Sequence, residues 1–259
     1  PTWSPTPSIG PITCAQADAG SFVIPPLNYS NGGSASCLVS GTVNGSVTSE
    51  TWDECGGTLV VTYPAPSLPA CFSLSDVTVS VSVNPAPAPT WSPTPVIGPV
   101  TCAQADAGTF VIPPLNYSNG LSAPCGVSGS VNGVVSSSSY DACGGTVIVT
   151  YPAPSLPACF TLPDVTVSVT VNQAPAPVWN PTPSIGPVTC AEANAGSFTI
   201  PALGYTNGAS GGCDVSGTVN GAVTSSSWTE CGGTLTVTYP APSLPGCFSL
   251  PNITVSVTV

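Results

Sequence analysis

Valine alternates with small hydroxyl residues through Val77, Thr78, Val79, Ser80, Val81, Ser82 and Val83, which places the apolar side chains on one face of a strand and the hydroxyls on the other. A second alternating run, Leu59, Val61 and Tyr63 against Thr58, Val60 and Thr62, follows the glycine pair Gly56-Gly57. Ser40 to Val43 followed by Asn44-Gly45 reads as one arm of a hairpin. No stretch shows helical periodicity. Prolines fall between the alternating runs, as in Tyr63-Pro-Ala-Pro-Ser-Leu-Pro-Ala70, where they punctuate loops and keep strand edges from pairing. Short strands separated by turn signals predict an antiparallel β-sandwich of immunoglobulin-like type.

The same pattern is written three times. Trp3, Trp91 and Trp179 stand 88 residues apart, as do the cysteines of the series Cys14, Cys37, Cys55, Cys71; Cys102, Cys125, Cys143, Cys159; and Cys190, Cys213, Cys231, Cys247. A period of 88 is the size of a small domain rather than of a solenoid turn, so the expectation is three tandem immunoglobulin-like sandwiches in a rod-like array. The repeats cover residues 1–83, 91–171 and 179–259, joined by Pro/Ala linkers at 84–90 and 172–178 whose alternating prolines favour stiff polyproline II. Each tryptophan that opens a repeat (Trp3, Trp91, Trp179) is a candidate for interdomain packing, with capping of its own repeat's core as the plain alternative. Three full periods would exceed the 259 residues by a stretch equivalent to Asn84 to Ala88, and neither a signal peptide nor a long apolar run is present, so the chain reads as an excerpt of something longer.

Twelve cysteines at repeated positions in units of this size predict disulfides and an oxidising compartment. Zinc would need clustered pairs such as C-x-x-C, and the spacing offers none. Four cysteines per repeat admit three connectivities, of which the sequential one, Cys14 with Cys37 and Cys55 with Cys71, is preferred.

Charge removes further classes. Lys, Arg and His are absent while Asp and Glu total 11, so neither nucleic acid nor an anionic membrane finds a basic surface. Charged residues make up 4% of the chain, too little to wet an exposed domain. Covalent glycan is the expected remedy, O-linked on the dense Ser/Thr faces or N-linked at the sequons of Asn28, Asn44, Asn116 and Asn252.

The segments Cys55-Gly-Gly-Thr-Leu-Val-Val-Thr-Tyr63, Cys71-Phe-Ser-Leu and Val77-Thr-Val-Ser-Val resemble the HYR-like immunoglobulin repeats of giant bacterial cell-surface adhesins. The resemblance covers mainly the second half of each unit, and Pro-Ala-Pro-Ser-Leu-Pro stands where that family carries an acidic turn. It implies an extracellular, adhesion-associated stalk.

Catalytic chemistry has little to work with: acid–base and nucleophilic mechanisms lean on His, Lys or a free Cys. No catalytic, cofactor-binding or metal residue is assigned. No carboxylate occupies one position in all three copies, since Asp18 and Asp106 become Asn194, Asp76 and Asp164 become Asn252, and Glu54 becomes Ala142 before returning as Glu230. Trp52, Tyr140 and Trp228 repeat and could form a sugar-stacking face, but core packing is the plainer role. The expectation is therefore a non-enzymatic extracellular structural stalk or filament segment, partnered by copies of itself or by further repeats in a fibre. The alternatives are a carbohydrate-binding adhesin that meets surface glycans, or a pilus-like subunit assembled by strand exchange.

Overall fold

The computed structural model describes residues 1–259 and is all-β, with short single-turn helices. In the first repeat β1 (Thr2–Trp3), β3 (Leu27–Ser30) and β4 (Ser40–Val43) form one antiparallel sheet in the order β1-β3-β4. The second sheet contains β2 (Ile12–Thr13), β5 (Ser46–Asp53), β6 (Gly56–Tyr63) and β7 (Val77–Asn84), in the order β2-β7-β6-β5. All its pairings are antiparallel except β2 against β7, which is parallel with Ile12 opposite Val83.

The second repeat supplies β8 (Thr90–Trp91), β9 (Val100–Thr101), β10 (Leu115–Ser118), β11 (Ser128–Val131), β12 (Val134–Asp141), β13 (Gly144–Tyr151) and β14 (Val165–Asn172). The third supplies β15 (Val178–Trp179), β16 (Leu203–Thr206), β17 (Ser216–Val219), β18 (Ala222–Thr229), β19 (Gly232–Tyr239) and β20 (Ile253–Thr258). There the counterpart of β2 is reduced to one bond, Val188 N–H to the Thr258 carbonyl.

The alternating runs behave as their period demands. Leu59, Val61, Tyr63, Val81 and Val83 are buried in one cluster with Leu27 of the other sheet, with Trp3, Ile24 and Val43 packed against it. The hydroxyls of β7 face out. Each long hairpin has a β-bulge before its middle, between Val47 and Ser49 in the first repeat, and the hydroxyl of the extra residue Thr48 meets that of Thr62 at 2.7 Å. Two glycines show why the sequence is strict here. A Cβ on Gly41 would lie 2.5 Å from the Tyr29 hydroxyl, and Gly56 holds φ +87° where a Cβ would meet the Val83 carbonyl at 2.6 Å.

Two sequence expectations need correction. Asn44-Gly45 does not close a hairpin: β4 pairs with β3 and β5 with β6, so the dipeptide carries the chain from one sheet to the other. The tight turn is Glu54-Cys55, with Gly56 and Gly57 already inside β6. The helices α1 (Cys14–Asp18), α2 (Cys102–Ala107) and α3 (Cys190–Ala195) were not signalled by periodicity because one turn is too short to show it. Each is set by a capping box, Thr13 with Gln16, Thr101 with Gln104 and Thr189 with Glu192.

Packing divides the chain into two compact units, Pro1–Pro95 with Pro114–Asn132 and Tyr151–Val165, and Val96–Pro113 with Gly133–Thr150 and Thr166–Val259. The first repeat lies whole in the first unit and the third whole in the second, while the middle repeat contributes to both.

Candidate functional site

Each repeat has two ends. At the tail end the β5–β6 turn holds Cys55, and β2, running beside the last residues of β7, delivers Cys14 to the start of α1. At the head end the loop from Tyr63 to Val77 holds Cys71, and the β3–β4 loop holds Cys37. That second loop belongs to the head because its base, Ser30 opposite Ser40, joins β1, whose Trp3 donates its indole N–H to the Ser75 carbonyl at 3.0 Å.

This layout overturns the sequential disulfide pairing. Eight-residue β6 separates Cys55 from Cys71 by roughly 25 Å, whereas a disulfide needs Cα atoms within about 7 Å. Bridges instead run from the tail of one repeat to the head of the next. In the first unit Cys14 joins Cys125 and Cys55 joins Cys159, with Cα separations of 5.9 and 5.6 Å. In the second, Cys102 joins Cys213 and Cys143 joins Cys247, at 5.9 and 5.7 Å. Cys37, Cys71, Cys190 and Cys231 are free thiols.

Each half-site is shaped by its own repeat. On the tail side, the Cys55 N–H donates to Asp53 Oδ1 at 2.8 Å and the Cys143 N–H to Asp141 Oδ1 at 2.7 Å. On the head side, Asn119 clamps its loop by donating from Nδ2 to the Cys125 carbonyl (2.8 Å) while its Oδ1 accepts from the Val127 N–H (3.0 Å), and Asn207 does the same around Cys213. The Phe160 N–H closes the second head loop onto the Pro157 carbonyl.

Apolar packing surrounds the bridges. In the first unit Cys14, Ile12 and Ala86 are buried in one cluster with Cys125, Val127 and Phe160 of the following repeat. In the second unit Gly212 N–H donates to Asp106 Oδ1 at 3.1 Å, and Gln173 Nε2 donates to the Cys247 carbonyl at 3.4 Å. A cavity of about 430 Å³ beside the Cys102–Cys213 bridge is lined by Cys102, Ala103, Gln173, Pro175, Ala209 and Cys213.

The Pro/Ala stretches are anchored to the repeats they follow. Ala86 and Ala174 are buried, and their N–H groups donate to the carbonyls of Glu54 and Ala142, which fastens each stretch to the tail of its own repeat. Of the two roles open to the tryptophans, the contacts seen are those within their own repeats. Trp3, Trp91 and Trp179 donate to the carbonyls of Ser75, Pro163 and Pro251 in their own repeats, each at 3.0 Å, and each stacks edge-on against a tyrosine of its own repeat at 5.7 Å. Capping of the repeat's own core satisfies the indole N–H, which a neighbour's surface does not need to do.

The drifting carboxylates have a local explanation. Asp76, Asp164 and Asn252 each accept the N–H of the proline-rich loop, from Ala65, Ala153 and Ala241, at 2.7 Å through Oδ1. An amide oxygen serves as well as a carboxylate there, so charge is free to vary. Asn28, Asn44, Asn116 and Asn252 are all exposed. Trp52 and Trp228 pack partly buried against the cores, and the Trp52 indole N–H is buried without a hydrogen-bond partner. Beside Trp228 lies a cleft of about 280 Å³ lined by Phe198, Val223 and Leu235 among others. No helix is long and apolar enough to cross a membrane. No family model, curated protein or solved structure matches the chain.

The residues that sequence reading missed are the asparagine clamps Asn31, Asn119 and Asn207. Their signal was present: an asparagine precedes each repeat's second cysteine by six residues in all three copies.

Proposed function

We propose that the chain is a segment of an extracellular structural filament or stalk, built from three tandem immunoglobulin-like sandwiches of HYR-like type and coated with sugar. The observation that carries this reading is the doubled covalent link from the tail of one repeat to the head of the next. Such links add nothing to a catalytic centre but resist separation of neighbours under tension, which is what a load-bearing array requires. A bridge closing a loop of this length removes about 5 kcal/mol of chain entropy from the unfolded state. Disulfides of this kind persist outside the reducing cytosol. The half-buried placement of Trp52 and Trp228 favours the scaffold over the carbohydrate-binding alternative, because a stacking platform needs its ring face open.

Antiserum against the chain, applied to intact source cells and read by immunogold microscopy, tests the reading. Label along surface fibres is expected, with native material heavier than its polypeptide until deglycosylated. Label confined to the cell interior would overturn the assignment.

A further inference from the structure

The two bridges that join neighbouring repeats are unequal, and unequal in the same way at both junctions. Cys14 and Cys125 are 1% and 2% exposed, and Cys102 and Cys213 are 2% and 0% exposed, so each of these inner bridges joins two buried residues. The outer bridges run from half-buried Cys55 and Cys143 to exposed Cys159 and Cys247. We propose that each outer bridge is a thiol-exchange site and a redox latch: a small thiol such as glutathione attacks Cys159 or Cys247 and opens it, while the inner bridge stays closed and keeps the two repeats joined. The claim concerns the junctions alone and stands apart from the filament reading.

Thiol–disulfide exchange is governed by the charge around the sulfurs and by access to them. Charge does little to favour the outer bridges, because Lys, Arg and His are absent from the chain. The one electrostatic advantage belongs to the inner bridges, since Cys14 and Cys102 are the first residues of α1 and α2. A good leaving group counts only after a thiolate has reached the sulfur it leaves, and Cys125 and Cys213 are covered. Access therefore ranks the bridges.

The cover is built into the fold. Cys125 and Cys14 share their apolar cluster with Ile12, Ala86 and Val127, and Asn119 holds the Cys125 carbonyl. Asn207 holds the Cys213 carbonyl in the same way, with Asp106 on the neighbouring Gly212 N–H. The cavity beside the Cys102–Cys213 bridge leaves both cysteines at 2% or less, and its walls carry no basic group to draw in anionic glutathione. The outer bridges have no such roof. Ala158 and Gly246, which precede Cys159 and Cys247, are themselves exposed, and a Cβ on Gly246 would meet nothing within 4 Å. Phe160 stays buried in the cluster beneath its loop, so an opened Cys159 is held near Cys55 and the latch can close again.

Opening consumes two glutathiones per bridge. The first thiolate attacks Cys159 Sγ, the S–S bond breaks, and Cys55 leaves as a thiolate that takes a proton from water. The second attacks the glutathione sulfur of the mixed disulfide and releases Cys159 as the second thiol. The bridge gains two electrons, and the two glutathiones leave as one oxidised glutathione.

The test uses the full oxidised chain. Thiols free at the outset are capped with iodoacetamide, and the chain is then exposed to reduced glutathione without denaturant. Timed samples are quenched with heavy-isotope iodoacetamide, and each is split for digestion with and without later reduction. Cys55, Cys159, Cys143 and Cys247 should acquire the heavy label at least about tenfold faster than Cys14, Cys125, Cys102 and Cys213. Glutathione adducts trapped on the way should sit on Cys159 and Cys247, and oxidised glutathione added to the opened, unlabelled chain should restore Cys55–Cys159 and Cys143–Cys247. Equal rates at the two bridges of a junction, inner bridges that open first, outer bridges that resist until denaturant is added, adducts on Cys55 and Cys143, or re-formation in other pairs would overturn the proposal.

Discussion

Replacing Cys37, Cys71, Cys190 and Cys231 by serine leaves only the four internal bridges, and the connectivity can then be read as a length. Pulled from its two ends, the oxidised variant can extend only along its shortest covalent path. That path runs from residue 1 to Cys14, across to Cys125, along the backbone to Cys143, across to Cys247 and on to residue 259. It contains about 43 residue steps, and at about 3.5 Å per step plus two bridges it gives a contour near 160 Å. The fully reduced chain reaches about 900 Å on the same basis. Sequential pairing in all three repeats, which requires the unsubstituted chain, would excise only short loops and leave about 500 Å. Single-molecule force spectroscopy with tethers at the two ends resolves these differences easily. The account expects the oxidised serine variant to stop near 160 Å and to lengthen several-fold on adding reductant. An oxidised contour near that of the reduced chain, or near 500 Å for the unsubstituted chain held monomeric, would refute the tail-to-head connectivity.

Tyr239→Phe deletes a hydroxyl that donates to the Pro201 carbonyl at 2.9 Å, and denaturant titration of the serine variant should show a loss of about 1–3 kcal/mol. Asp76→Asn should be nearly silent in the same titration because an amide oxygen can still accept the Ala65 N–H, whereas Asp76→Ala should cost about 1 kcal/mol. Hydrogen bonds from the Thr189 N–H and hydroxyl hold the Glu192 carboxyl below its ordinary pKa. Its support for α3 is therefore present above the unfolded carboxyl pKa and disappears as pH falls through the folded value. The Thr189 amide resonance should report that acid transition, and Glu192→Gln, which restores the side chain of the other two copies, should abolish it.

The strand faces were legible because burial on one side of a sheet forces period two, and Val77 to Val83 obey it. The repeat was legible for the same reason that the pairing was not: Cys37 and Cys125 are the same position one period apart, so nothing in the spacing separates a bridge within a repeat from one between repeats. Geometry implied by the strands does separate them for Cys55 and Cys71, which an intervening eight-residue strand puts at opposite ends. Asn44-Gly45 misled because its turn chemistry suits a sheet-to-sheet crossing as well as a hairpin. The Thr-x-x-Gln capping boxes at Thr13 and Thr101 were visible in sequence but brief, and only tertiary packing keeps helices of one turn.

The most direct test of the central claim is disulfide mapping of the oxidised chain after digestion with pepsin at acid pH, where thiol exchange is suppressed and the absence of Lys and Arg is no obstacle. Mass spectrometry should recover Cys14–Cys125, Cys55–Cys159, Cys102–Cys213 and Cys143–Cys247, each joining peptides of two different repeats. Recovery of Cys14–Cys37 and Cys55–Cys71 peptides instead would contradict the account.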